Sequence, residues 1–264
     1  MATGRTLQKF MRVYVDAVDL SGYARSLGPL TWEFEEHDLT GISGAVKGFL
    51  PGQATVNPGT LNALFDNTAS GLHALMNGAG VMRTVMAPIG IRAEPAEGDP
   101  CFMGQFEQKE YIVDPSDGST AITASFDASA AASTLLYARP WGSLLHVRGA
   151  ETAENSGTGI DDSPAGASTA KGGYMVYHIY ASNAAGTVVV SVEDAVANND
   201  GSFGALVDCE TSAIGFAAIA AGTAHGLVAI APTATVKQFT RWQIALAGGM
   251  TSCSFALAFV RGSL

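Results

Sequence analysis

The sequence predicts a mainly β protein with a single helix. Segment after segment alternates apolar and polar residues with a period of two. Turn signals separate these segments at short intervals. Charged residues make up only 14% of the chain and glycines number 31, a composition that suits short strands, tight turns and close packing. At 264 residues the chain is long enough for one large domain or two ordinary ones, and its core needs no disulfide or metal staple.

The first strand signal is "MRVYVDA" (11–17), with Met11, Val13 and Val15 on one side. The second is "LTWEFEE" (30–36), with Leu30, Trp32 and Phe34 inward and Thr31, Glu33 and Glu35 outward. A turn in "LSGYARSLGP" joins them. A long connection over 37–59 follows, of a size that is functional or disordered more often than it is filler. "TLNALFDNTASGLHALMNGAG" then reads as the first helix, with Leu61, Leu64 and Phe65 on one face and Leu72, Leu75 and Met76 on another; "NPGT" starts it and "NGAG" stops it. Strands return in "VMRTVMAPIGI", "CFMGQFEQKEYIV" and "TAITASFDAS", where Ile122, Ala124 and Phe126 share a face. "TLLYARPWGSLLHVRG" supplies one or two more.

The stretch 149–173 holds no large hydrophobe except Ile160 and reads as a linker or flexible loop. It divides the chain into an N-terminal domain (1–148) and a C-terminal β-sandwich domain (174–264). The second domain carries "YMVYHIYAS", "GTVVVSVEDA", "GALVDCE", "GLVAIA", "TVKQFTRWQIALA" and "TSCSFALAFVRG", short strands at sandwich spacing.

Several function classes are disfavoured. A net charge of −10 argues against a protein that grips nucleic acid by its phosphates. Cys101, Cys209 and Cys253 are odd in number and widely spaced, so they read as small buried hydrophobes and point to a reducing compartment. The opening residues lack the apolar run of a signal peptide. "AIGFAAIAAGTAHGLVAIA" (213–231) is long enough to span a membrane, but Thr223, His225 and its glycines argue against that, so no membrane is expected. No nucleophile elbow, P-loop, C-x-x-C or H-E-x-x-H is present, so the chain is read as not an enzyme, with no catalytic residue, metal site or cofactor. His37, His73, His146, His178 and His225 are scattered and read as structural. "EFEEHD" (33–38) reads first as a solvated strand end, and otherwise as a carboxylate pair or as one strand of a shared negative surface. "NNDGSFGALVDC" lacks the ligand spacing of a calcium loop and reads as a hairpin turn. Tyr174, Tyr177, His178 and Tyr180 admit a sugar-binding face or a mixed core strand.

The N-terminal half resembles the major tail proteins, or tail tube proteins, of long-tailed bacteriophages. The resemblance rests on an ordered series: Asp19, Leu20, Ser21, Gly22 and Tyr23 in a turn between strands; then Asp38 and Thr40; then Lys47, Phe49, Pro51 and Gly52; then Leu61 to Phe65. It covers residues 7–147, somewhat over half the chain. The C-terminal half resembles, more loosely, the extra sandwich domains that such proteins carry on the outside of the tube.

The resemblance implies a β-barrel or two-sheet sandwich with one flanking helix. It implies six copies in a ring and rings stacked into a tube that conducts DNA without binding it specifically. The implied partners are the chain itself and other tail proteins, and the implied location is the virion after synthesis in the host cytoplasm. The 37–59 connection becomes an inter-subunit loop with Lys47, Phe49, Leu50 and Pro51 as candidate anchors, and Glu33 and Glu35 become candidate lumen residues. Two other expectations stay open: a capsid decoration protein or other tail part such as a terminator, and an outward glycan-binding module.

Overall fold

From its first described residues the chain builds strands. The computed structural model describes residues 8–38, 49–68, 71–91, 93–115, 121–128, 139–163, 166–216 and 223–262. A 3-10 turn at Gln8–Phe10 leads into a small hairpin, β1 (Tyr14–Val15) and β2 (Val18–Asp19). The strand expected over 11–17 is shorter because the chain reverses at Asp16 and Ala17, both at positive φ (48° and 61°), as a two-residue hairpin of this type requires.

Next come β3 (Ala24–Gly28), β4 (Thr31–Asp38), β5 (Phe49–Asn57) and β6 (Thr60–Leu64). Two expectations are corrected here. The 37–59 connection is not one long loop: its ends are strand residues of β4 and β5, paired from Thr31↔Asn57 to Asp38↔Phe49. The expected helix over 60–76 is a strand in its first part, and only α1 (Leu72–Met76) is helical. Leu61 and Ala63 are buried while Asn62 between them is not, and β6 is held on one side by β3 and on the other by β9 (Ala121–Ala128). Pairing on both edges overrides the helix propensity of "TLNAL".

The chain continues through β7 (Val81–Pro88), the fifteen-residue β8 (Pro100–Asp114), β9 and β10 (Trp141–Glu151). The short strands β11 (Asn155–Ser156) and β12 (Ile160–Asp161) follow. After them come β13 (Gly173–Ser182), β14 (Gly186–Ala195), a 3-10 turn at Asp200–Ser202, β15 (Gly204–Glu210) and β16 (Ile214–Phe216). The last three strands are β17 (Ala224–Ile230), β18 (Phe239–Ala247) and β19 (Cys253–Arg261).

Eleven strands share one sheet, with a main path β17-β13-β19-β10-β8-β7-β1-β2 and a branch β9-β6-β3 leaving β8. This sheet curls. His225 on β17 reaches Thr84 on β7 through a 3.0 Å hydrogen bond, although four strands lie between β17 and β7 along the path. A second, six-stranded sheet joins β11, β12, β18, β14, β15 and β16. β4 and β5 pair only with each other among the described residues.

Strands from either side of 149–173 therefore lie in the same sheet: β10 pairs with β19 from Ser143↔Phe259 to Glu151↔Cys253. Within the expected linker, β11 and β12 pair with β18. Residues that lack large hydrophobes still satisfy their backbone groups by adding to an edge.

Two hydrophobic cores share one layer. On β13 and β19, Tyr174, Val176, Ala256, Ala258 and Val260 face the first core, inside the curled sheet. Met175, Ile179, Phe255, Leu257 and Phe259 face the second, against Val188, Val190, Val192, Trp242 and Ile244 of the six-stranded sheet. Burial on both faces explains why these strands read as nearly continuous apolar runs. The three cysteines are free and buried, as expected, and burial pushes their thiols up. Among the described residues no helix is long and apolar enough to cross a membrane.

Candidate functional site

Beyond Gln108, β8 leaves the curled sheet. β7 pairs with β8 only from Cys101 to Gln108, whereas β9 follows it to Asp114. The result is a four-stranded extension, β3-β6-β9-β8, antiparallel at every pair. Among the described residues no strand covers the free side of β3, and none covers the β7 side of β8 from Lys109 to Asp114. Two such edges offer unpaired backbone donors and acceptors at opposite sides of one sheet.

The two faces of this extension differ. Leu61, Ala63, Ile122 and Ala124 are fully buried and belong to the first core. The other face carries Ser26, Asn62, Thr123, Ser125, Glu110, Ile112 and Asp114. There Asn62 donates to Ser26 Oγ at 3.0 Å and accepts from Thr123 Oγ1 at 3.2 Å, and Ser125 Oγ donates to Glu110 at 3.5 Å. This ladder of small polar side chains is tied across the strands, and its two carboxylates, Glu110 and Asp114, are exposed.

The β4–β5 arm is the second feature. Trp32 and Val56 at its base pack on the first core. Beyond them Glu33 is exposed and Phe34 is 39% exposed, its ring 5.4 Å from that of Trp32. An isolated two-stranded hairpin is marginal in water. Of the residues expected to form the inter-subunit loop, Phe49, Leu50 and Pro51 lie in β5 opposite Asp38, His37 and Glu36. Lys47 lies outside the described residues, as do the side chains of Glu35, Phe49, Leu50 and Pro51.

A buried polar cluster ties the β1–β2 turn and α1 to β7 and β8. Arg83 donates to Asp16 Oδ2 and to Gln108 Oε1, each at 2.9 Å, and to the Leu75 carbonyl. Asp16 also accepts from the Thr84 N–H at 2.8 Å. His178 Nδ1 accepts from the Ala17 N–H at 2.9 Å, so its proton sits on Nε2, which is buried with no partner among the described groups. Burial, with a smaller contribution from His225, pushes the His178 imidazole down to about 3. Sequence reasoning missed this cluster, since nothing in the spacing of Asp16, Arg83 and Gln108 links them.

The tyrosine set is a core strand. Tyr174 is fully buried and donates to the carbonyls of Met103 and Arg139, and Tyr180 is half-buried, edge-on to Tyr14. Tyr177 is half-buried against the second core, on the opposite side of the strand from Tyr174 and Tyr180, so the rings do not form one face. Among the described residues no three His, Cys, Asp or Glu side chains are grouped to hold a metal ion.

No protein-family model and no curated protein matches the chain. Among solved structures, it is similar to the SPP1 Dit protein (gp 19.1), described as a paradigm of the hub adsorption apparatus in phages that infect Gram-positive hosts. That match covers 96% of this chain and 99% of the other at 12% identity, with a TM-score of 0.29. At that score the likeness establishes no shared geometry.

Proposed function

We propose that this chain is a structural protein of a bacteriophage tail, and that it is the tube subunit, which joins copies of itself into stacked rings. The observation that carries the reading is the four-stranded extension with two open edges. Its strand number is even and every pair is antiparallel. A neighbour's β3 laid against residues 109–114 of β8 therefore continues the antiparallel alternation without a break. Repeating that head-to-tail contact with a fixed rotation closes a ring and covers both open edges of the extension.

The ordered resemblance in residues 7–147 supports the same reading and suggests six copies. In such a ring the polar face bearing Asn62, Thr123, Glu110 and Asp114 suits a wall past which DNA slides, because carboxylates repel phosphates and offer no grip. Glu33 and Glu35 remain lumen candidates from the sequence, and Glu110 and Asp114 join them.

The arm supports stacking. A marginal two-stranded hairpin with exposed aromatic and acidic residues gains order from a partner surface. The test is negative-stain electron microscopy of the purified protein over a range of concentrations. Six-membered rings or hollow tubes are expected. Compact monomers or trimers that persist at every concentration overturn the reading and favour a decoration role.

A further inference from the structure

The sequence contains eight asparagines, and Asn77 alone among them is followed by glycine. Asn57, Asn62, Asn155, Asn183, Asn198 and Asn199 each hold a hydrogen bond through the side-chain amide. Among the described residues the side chains of Asn67 and Asn77 hold none, and both are exposed. Asn67 precedes Thr68, whose branched side chain crowds the main chain and whose N–H is held by Asp66 at 2.9 Å. Asn77 precedes Gly78, which has no side chain to block an approach. No hydrogen bond holds the Gly78 N–H among the described residues. Asparagine is a chemically labile residue, and an unbound side-chain amide beside an unhindered main-chain nitrogen is the arrangement in which the chain attacks itself.

Asn77 caps α1 and opens the turn to β7. That turn grips Gln108 twice. The Gln108 side chain donates to the Met76 carbonyl at 2.7 Å, and its main-chain carbonyl accepts from the Gly80 N–H at 2.7 Å. Residues 77–79 span from one contact to the other. Gln108 is also the last β8 residue paired with β7, so the open edge over 109–114 starts directly after it. Glu107 and Glu110 flank this point on β8, and Lys109 between them is already paired with Asp127.

We propose that Asn77 is a site of spontaneous deamidation, and that its products loosen the grip on Gln108 at which the open β8 edge begins. The Gly78 nitrogen gives its proton to hydroxide and attacks Asn77 Cγ. A Cγ–N bond forms, the Cγ–Nδ2 bond breaks, and the leaving nitrogen takes a proton from water and departs as ammonia. Water then opens the succinimide ring at either carbonyl, which leaves an aspartyl or an isoaspartyl linkage at position 77. Nothing is oxidised or reduced. At ψ 24° the Gly78 nitrogen is turned away from Cγ, so the peptide rotates before it reacts. Free subunits allow that rotation, whereas a neighbour's strand laid along 109–114 restrains the turn. Each product carries a new negative charge, and the isoaspartyl form adds a methylene to a span whose two ends are fixed on Gln108. The chemical step is independent of assembly; its effect on the edge rests on the self-assembly reading above.

The test incubates the purified protein in mildly alkaline buffer, as free subunits and as tubes, and follows position 77 by peptide mass spectrometry with an isoaspartate assay. In free subunits Asn77 is expected to convert about tenfold faster than Asn67, or more. Gly78→Ala is the control, because a Cβ there meets only Val81 Cγ2, at an ordinary contact distance of 3.5 Å. It is expected to slow conversion about tenfold and to leave the melting temperature unchanged. Aged wild type is expected to need about three times the concentration of fresh protein to form tubes, and aged Gly78→Ala is not. Conversion at Asn77 no faster than at Asn67, or undiminished in Gly78→Ala, overturns the modification site. Equal rates in subunits and tubes, or aged wild type that assembles like fresh, overturn its link to the β8 edge. A wild type that converts at Asn77 but never forms tubes overturns the self-assembly reading and that link, and supports the modification site.

Discussion

Asp16 and Ala17 occupy a conformation that most residues avoid, and both are fixed from a distance. Asp16 is held by Arg83 and the Thr84 N–H, and the Ala17 N–H is taken by His178. His178 therefore stays neutral in the native protein, with Tyr14, Tyr180 and His225 packed around it. Its folded value, about 3, lies well below the ordinary histidine value near 6.5. Between those limits the unfolded chain binds the extra proton, so this contribution to stability is full above pH 6.5 and falls as pH drops toward 3. Its slope is at most about 1.4 kcal/mol per pH unit. The raised carboxyl of buried Asp162 acts in the opposite sense, but it is common to wild type and variant. His178→Asn keeps an acceptor for the Ala17 N–H and removes the titration. Urea midpoints measured from pH 4 to pH 7.5 should show a lower stability at neutral pH, by about 1–3 kcal/mol, and a flatter acid limb than wild type. A variant with an unchanged acid limb would show that this histidine does not titrate as described. The alternation in "YMVYHIYAS" places His178 on one face of a strand, but only the packed structure shows that the face is dry.

At the scale of elements, alternation was a good guide wherever one face is buried. Ile122, Ala124 and Phe126 share the core side of β9, as their spacing indicates. It failed at "TLNAL", whose leucines fit a helix face as well as a strand, and there β3 and β9 decided the outcome by pairing on both sides. The arm is the element whose removal is most informative. Replacing residues 35–53 with Asn-Gly joins Phe34 to Ala54, which already face each other, through a two-residue hairpin turn. Trp32 and Val56 keep their places on the first core. The shortened chain should fold with a melting temperature within about 4 °C of wild type and lose tubes in electron micrographs. Tubes of normal length from this variant would remove the arm from assembly.

For the whole molecule the decisive arrangement is the layer shared by two cores. β19, near the C-terminal end of the chain, lies between β10 and β13 in the large sheet. A chain ending at residue 148 loses β19 beside β10 and, from the first core, Tyr174, Val176, Ala256, Ala258 and Val260. Burial of those side chains contributes on the order of 5–10 kcal/mol, comparable with the net stability of a whole domain. Residues 1–148 alone should therefore give poorly dispersed amide resonances and rapid proteolysis, while the full chain gives a single melting transition. A well-dispersed spectrum from the fragment would establish an independent N-terminal domain.

The sequence by itself determined the class of the protein and most of its strands. Period-two patterning, glycine-rich turns and scarce charge are local properties, and they survive whatever the chain packs against. It also located the acidic strand and the buried cysteines. Tertiary structure alone decided which strands became neighbours: the joining of both halves in one sheet, the two open edges at β3 and β8, and the meeting of Asp16 with Arg83 and of Ala17 with His178. Those features depend on hydrogen bonds and burial between residues up to 161 positions apart, a separation at which neither period nor composition carries a signal.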